Sequence, residues 1–586
     1  YAHHPAQKRF ILHNRKKNKK KHTLLTAGLL ALCLLAGCGR KGSLSKPVAG
    51  DDAAPVFNQM LLNAYQKLLQ TGIPTSVTAT EAKTFGFRTA LMVNDMVQEG
   101  EFNRSEPISF DSGSSYTTLP GVVTFRGNNY RSSAVYGTAN VLERKFDSKK
   151  SWSVKTGKLK KTVKKGYWTG SCWTGQPLIV QWDEATKQAM NIYTKKKTKA
   201  NLTEVIYATA DGRIYFLDLE DGTKTRDTIS LGFPIKGTGS IYPDGTPLYF
   251  VGAGDSMGNE CARTFVINLL TGHVIYEYGY DDVFSERTDN DNFTAFDSSP
   301  LIDVETDTLI QPGENGILYI THLNTFYDGK TVTIHPDEVI KWRYTTDRSR
   351  AQEDTYWLGM ESSAVAFKGY LYVADNCGDL ICLDLNTMEV VWVANTLDDT
   401  NCSPVLEEDP ETGTAYIYLS TSLHWTQDDT SRGDIPIYKF NAATGEIIWQ
   451  RTYPCYTVSG VSGGVQSTAL LGENKLSGLV YFTVARTGGE KKGKIVALSK
   501  RTGGEVWSCE MSDYTWSSPI ALYDKDGNGY VIVCDSTGNM YMIDGLTGEL
   551  YDTTNLGGNI EASPAAFENT IVVGTRGKKI YGIVIK

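Results

Sequence analysis

The chain has 586 residues, 56 of them glycine, 11% aromatic side chains and a formal net charge of −7. That length exceeds one small core and calls for several domains or one large repeat assembly. Residues 1–37 carry eight basic side chains and no acidic one, so the remainder is more acidic still, which argues against nucleic-acid binding.

Lys16, Lys17 and Lys19 to Lys21 precede an apolar run over 24–35 that is short for a membrane span. Leu35-Ala36-Gly37-Cys38 follows and resembles the bacterial lipobox. The resemblance implies a signal peptide over 1–37, cleavage before Cys38, and acylation of Cys38, palmitate included. Such a chain is anchored by lipid to the bacterial cell membrane, with its body outside the cytoplasm. The alternative is a plain N-terminal anchor helix. Residues 38–55, rich in Gly, Ser, Lys, Asp and Pro, read as a flexible tether. Residues 56–115 read as a partly helical segment. Apolar residues at 57, 61, 64, 65 and 68 predict a helix over 57–69, and 81–98 a second helix interrupted at Gly86.

Beyond this one frame recurs. A Gly is followed by Asp six residues on, Thr three further and Trp five further, as in Gly378, Asp384, Thr387 and Trp392. Gly493, Ser499, Thr502 and Trp507 repeat it; Gly538, Asp544 and Thr547, and Asn441, Thr444 and Trp449, are partial copies. Gly permits the first turn, Asp or Asn caps the second through its side chain, and Trp supplies a large apolar wedge. A Ser-Ser-Pro-like opening precedes the copies: Gln176-Pro177, a degenerate 237–240, Ser298-Ser299-Pro300, Ser362-Ser363-Ala364, Cys402-Ser403-Pro404, Ser467-Thr468-Ala469, Ser517-Ser518-Pro519 and Ala562-Ser563-Pro564. The openings number eight. The last copy stops without a Trp strand, and Ser151-Trp152-Ser153-Val154 is a Trp strand with no copy before it. Joining the two would complete one unit and remove a free sheet edge.

The frame resembles the PQQ-like, quinoprotein-type repeat, and residues 122–137 resemble the segment that leads into such propellers. The implied fold is all-β: an eight-bladed β-propeller of four-stranded blades over 116–586, closed by N- and C-terminal strands together, after a short helical N-terminal segment. With its lipobox the chain resembles the propeller lipoprotein of the outer-membrane assembly machinery. That resemblance implies a non-catalytic binding scaffold with a protein or glycan partner in the cell envelope and no cofactor. The alternative is a quinoprotein dehydrogenase using pyrroloquinoline quinone and calcium. Such enzymes usually cover the quinone with two adjacent cysteines, and no two cysteines here are adjacent.

Function must lie outside the frame, whose residues make the fold. The residue three before each Pro position is expected at the channel mouth: Thr174, Asp297, Glu361, Asn401, Gln466, Trp516 and Glu561. Their carboxylates and amides suit a metal or a cationic ligand, or simply line a wet channel. Asp524, Asp526, Asn528 and Asp535 have the spacing of a calcium loop, with a hairpin turn as the alternative reading. Loop aromatics such as Trp357, His424 and Trp425 are candidate contacts for a partner. The cysteines after Cys38 read as small buried residues, a Cys377–Cys382 bridge being the alternative.

Overall fold

A computed structural model describes residues 43–52, 73–162, 165–287, 295–348, 351–352, 355–424, 432–458 and 461–586. The lipobox and the helix expected over 57–69 lie outside these. The described chain is almost entirely β. Eight sheets hold four or more strands, and seven of them draw four consecutive core strands from one continuous stretch. The fourth is the plainest: Val365–Phe367, Tyr370–Ala374, Asp379–Asp384 and Val390–Asn395, each antiparallel to the last. The eighth takes Ala565–Phe567, Thr570–Thr575 and Lys579–Ile585 from the end of the chain and Phe146–Lys155 from before the first copy. Gly582 pairs with Trp152, so the orphan Trp strand supplies the missing edge.

The repeat frame has a common local geometry. Asp384 Oδ1 accepts the backbone N–H of Asn386 at 2.7 Å, and Asp544 Oδ1 that of Leu546 at 2.8 Å. Just before this capping residue the outer strand pair carries a bulge, at Cys382/Leu383, Lys439/Phe440, Ala497/Leu498 and Met542/Ile543. A bulge raises local twist, which lets the outer strand splay from the centre. Trp392, Trp449 and Trp507 each lie on the Thr-Gly turn of the next copy. A Cβ on Gly445 would stand 2.6 Å from the Trp392 ring, on Gly503 2.6 Å from Trp449, and on Gly548 2.8 Å from Trp507. The indole N–H groups donate across the same gap, Trp392 to Ala442 O at 3.1 Å and Trp449 to Lys500 O at 3.0 Å.

The openings bond sheet to sheet. The N–H of Ser299 donates to Ser363 Oγ at 2.8 Å, Ser363 to Ser403 at 2.9 Å, Thr468 to Ser518 at 3.0 Å and Ser518 to Ser563 at 3.2 Å. A recurring Ser is therefore a buried acceptor for its neighbour. Ser363→Ala and Ser518→Ala should each cost about 1–3 kcal/mol, the penalty of a stranded buried donor, measurable by denaturant unfolding.

Residues 120–136 form a hub that touches the inner strand, or its opening, in all eight sheets. Gly121–Val122 pairs with Leu178–Gln181, Val123 O accepts from Ile241, and Thr124 meets Ser299. Asn129 O accepts from Ala366, Tyr130 O from Leu406 and Ala134 O from Ala566. Arg126 donates to Pro519 O at 2.8 Å and Ala469 O at 3.1 Å, closing the circle.

The segment before the hub differs from expectation. In place of a helix over 81–98 there is a 3-10 turn, Ala82–Phe85, ended by Gly86 at φ 61, then the strand Arg88–Val93. This strand adds to the outer strand Glu338–Thr345 of the third sheet, six residues in register. An open sheet edge satisfies the N–H and C=O groups of one face, which outweighs the modest helix propensity of Ala90, Leu91 and Met92. The rest of 73–115 holds the short 3-10 turns Thr78–Thr80 and Gly113–Ser115 and the two-residue strand Met96–Val97, paired with Arg88–Val93. Within the expected tether, Val48–Ala49 pairs with Ser508 and Trp507 at the outer edge of the sixth sheet. No described helix is long and apolar enough to cross a membrane.

Candidate ligand site at the centre of the sheets

Asp297 stands two residues upstream of Ser299, and Glu361 two upstream of Ser363, so hydrogen bonds at the openings set where both carboxylates begin. Glu314 joins them from the hairpin between Thr308–Pro312 and Ile317–His322, a turn closed by Gly316 at φ 79. One oxygen from each of the three lies within 4.8 Å of the others. Asp297 and Glu314 are each only 2% exposed. Lys236 Nζ approaches Asp297 Oδ2 at 3.6 Å, and Arg287 donates to the Glu314 backbone carbonyl and lies 3.5 Å from its Oε1.

The network extends into the next sheets. Asn376 Nδ2 donates to Asp399 Oδ1 at 2.6 Å and reaches Glu361 Oε2 at 3.5 Å. Asn401 Nδ2 donates to Asp399 Oδ2 at 2.9 Å, and His424 Nδ1 meets the same oxygen at 2.7 Å. The His424 ring sits edge-on to Trp357, and the Arg287 guanidinium lies 4.1 Å over the Tyr356 ring.

Burial dominates the electrostatics. It pushes the Asp297 carboxyl up to about 7, against the pull of Lys236. Glu361 is driven well above the usual carboxylate range, first by burial, then by the charges of Glu314, Asp399 and Asp297. Burial works against the Lys236 ammonium, yet Asp297, Asp255, Glu314 and Glu361 together hold its pKa above the ordinary value. This is a buried, acid-rich cluster with two compensating cations.

Three ring residues expected from the sequence, Asp297, Glu361 and Asn401, thus belong to one network. Of the others, only Thr174 touches it, through the Lys236 backbone. Thr174 donates to Lys236 O, Gln466 is buried, Trp516 packs on Tyr514, and Glu561 accepts from Asn559 with Arg576 at 3.8 Å. Glu314, Lys236, Arg287, Asn376 and Asp399 were not anticipated. Glu314 and Asn376 come from turns between the second and third strands of their sheets, and Lys236, Arg287 and Asp399 from the connections between one sheet and the next.

The calcium loop does not form. Asp524 Oδ1 accepts from the backbone of Asp526 and Asn528, and Oδ2 from Asn528 Nδ2, which makes a self-satisfied turn between Ile520–Tyr523 and Gly529–Cys534. Asp535 lies beyond the six-residue strand Gly529–Cys534, about 20 Å along it. There it caps the next hairpin through Thr537, Asn539 and Tyr541. A Cys377–Cys382 bridge is likewise absent: all eight described cysteines are free, and Cys377 Sγ contacts Trp357 O at 3.0 Å.

Sheets radiating from a shared hub, several with the Gly–Asp–Thr–Trp frame, define a β-propeller of PQQ-like repeats. Residues 491–586 match the family model described as outer membrane protein assembly factor BamB, a PQQ-like repeat domain. Among solved structures the chain is similar to BamB from Moraxella catarrhalis, at 15% identity and TM-score 0.41, covering 70% of this chain and 96% of that one. It is also similar to the quinohemoprotein alcohol dehydrogenase of Comamonas testosteroni, at 10% identity and TM-score 0.40, covering 82% and 83%. No curated protein matches.

Proposed function

We propose that this chain is a lipid-anchored extracytoplasmic lipoprotein whose eight-bladed propeller is a non-catalytic scaffold, binding a protein partner in envelope assembly. The observation that carries the reading is strand addition at blade edges. The chain's own Val48–Ala49 and Arg88–Val93 extend two sheets from outside. Outer strands such as His273–Tyr278 and Leu550–Asn555 end their sheets with no further strand paired among the described residues. Such edges accept an extended partner segment through backbone hydrogen bonds. The match of residues 491–586 to an assembly-factor family supports the same reading.

The anchor fits this geometry. Ser45 N donates to Glu510 O at 2.9 Å, seven residues after Cys38. Seven extended residues reach about 25 Å, so an acylated Cys38 would hold the sixth blade close to the bilayer. The wild-type protein should partition into detergent on phase separation and incorporate labelled palmitate. Cys38→Ser should partition into water without label. Equal partitioning of the two would sink the anchor, and a cross-linking survey of the intact envelope that returns no reproducible protein would sink the scaffold.

The dehydrogenase reading needs a quinone, and the residues present do not fit one. Adjacent cysteines are lacking, and the cations nearest the acidic cluster, Lys236 and Arg287, already face Asp297 and Glu314. Incubation with pyrroloquinoline quinone and calcium should leave no bound quinone absorbance and no dye-linked oxidation of alcohols or sugars.

A further inference from the structure

We propose that Asp297, Glu314 and Glu361 bind a divalent cation of the calcium type, without a quinone, as a staple between the third and fourth blades.

Geometry comes first. Three carboxylates converge with ligand oxygens within 4.8 Å of one another, close enough for one ion at the 2.3–2.6 Å typical of calcium–oxygen bonds. Asp297 and Glu314 belong to the third sheet and Glu361 to the start of the fourth. An ion held by all three would therefore add a further link between blades already joined by the Ser299–Ser363 and Tyr344–Asp375 bonds and by Arg131.

Satisfaction comes second. Asp297 Oδ1 and Glu314 Oε2 are buried and accept no hydrogen bond among the described residues. A buried carboxylate oxygen without a donor is costly, and a cation supplies what is missing. These orphaned oxygens separate the cluster from ordinary surface acids.

Charge comes third. The acids Asp297, Glu314, Glu361, Asp399 and Asp255 outnumber the cations Lys236 and Arg287 that face them. All donors are oxygens, which selects a hard cation over zinc or copper.

The test uses the purified full chain, stripped with chelator and titrated with calcium, with terbium luminescence as a second probe. One site per chain is expected, with a thermal midpoint raised by several degrees, in the absence of quinone or partner. Asp297→Asn and Glu361→Gln should each weaken binding at least tenfold and abolish the midpoint shift. Glu561→Gln, a ring carboxyl outside the cluster, should leave both unchanged and controls for folding. The proposal is overturned if calcium binds Asp297→Asn as it binds the parent, or if neither calcium nor terbium binds the folded parent at millimolar concentration. It is equally overturned if binding requires added quinone. Because no partner is present, the outcome does not depend on the scaffold reading.

Discussion

Arg126→Met should lower stability by about 3 kcal/mol or more, the largest loss expected from a single side chain of the hub. Arg126 is fully buried, and burial pushes its pKa down to about 10, so it remains a cation at neutral pH. Its two terminal nitrogens reach Pro519 O in the seventh sheet and Ala469 O in the sixth. Removing the fork leaves both carbonyls without this donor, each costing about 1–3 kcal/mol. Lysine should not rescue, since one ammonium on a flexible stem does not span two carbonyls on different sheets. Arg131 does the same work between the third and fourth sheets, donating to Ser299 O at 2.7 Å and Ala364 O at 2.9 Å. Both arginines sit at positive φ, 55 and 56. Strain of that kind persists where surrounding bonds over-determine it. Denaturant unfolding of Arg126→Met, Arg126→Lys and Arg131→Met measures this directly. A loss below 1 kcal/mol for all three would show that the hub is a passenger on sheets that hold themselves together.

The hub explains why part of this fold was legible in the sequence and part was not. Gly, Asp, Thr and Trp at fixed spacing act within a copy or on its next neighbour, so their periodicity survives in the chain and can be read. The pairing of Trp152 with the last strand was legible for the same reason, because each end lacked what the other had. Arg126 and Arg131 act once, across the centre, and nothing periodic announces them. The arm strand Arg88–Val93 was read as a helix because its composition permits either, and only the waiting edge of Glu338–Thr345 decides. At the ligand site the spacing rule found Asp297 and Glu361 but not Glu314, which reaches them from a turn on another part of the blade. The calcium-loop spacing around Asp524 failed because Tyr530 to Cys534 continue as a strand and carry Asp535 away from the turn.

Trp392→Ala should cost about 3–5 kcal/mol, the range for deleting a fully buried large aromatic. Trp392 is 0% exposed, packs 5.8 Å from the Tyr372 ring, and bonds to Ala442 in the fifth blade. It is at once the core of its own blade and the wedge against the next. Gly445 is the other half of this contact: its φ of +73 disfavours any side chain, and a Cβ there would strike the indole. Gly445→Ala should therefore destabilise through both backbone strain and collision. In the Trp392→Ala background the collision disappears while the strain remains. The double mutant should accordingly be more stable than the sum of the single losses, by about 1 kcal/mol or more, within the range seen for residues in contact. Strict additivity in that cycle would mean that the Gly is required only for its turn, and that the Trp–Gly contact contributes nothing to holding one blade against the next.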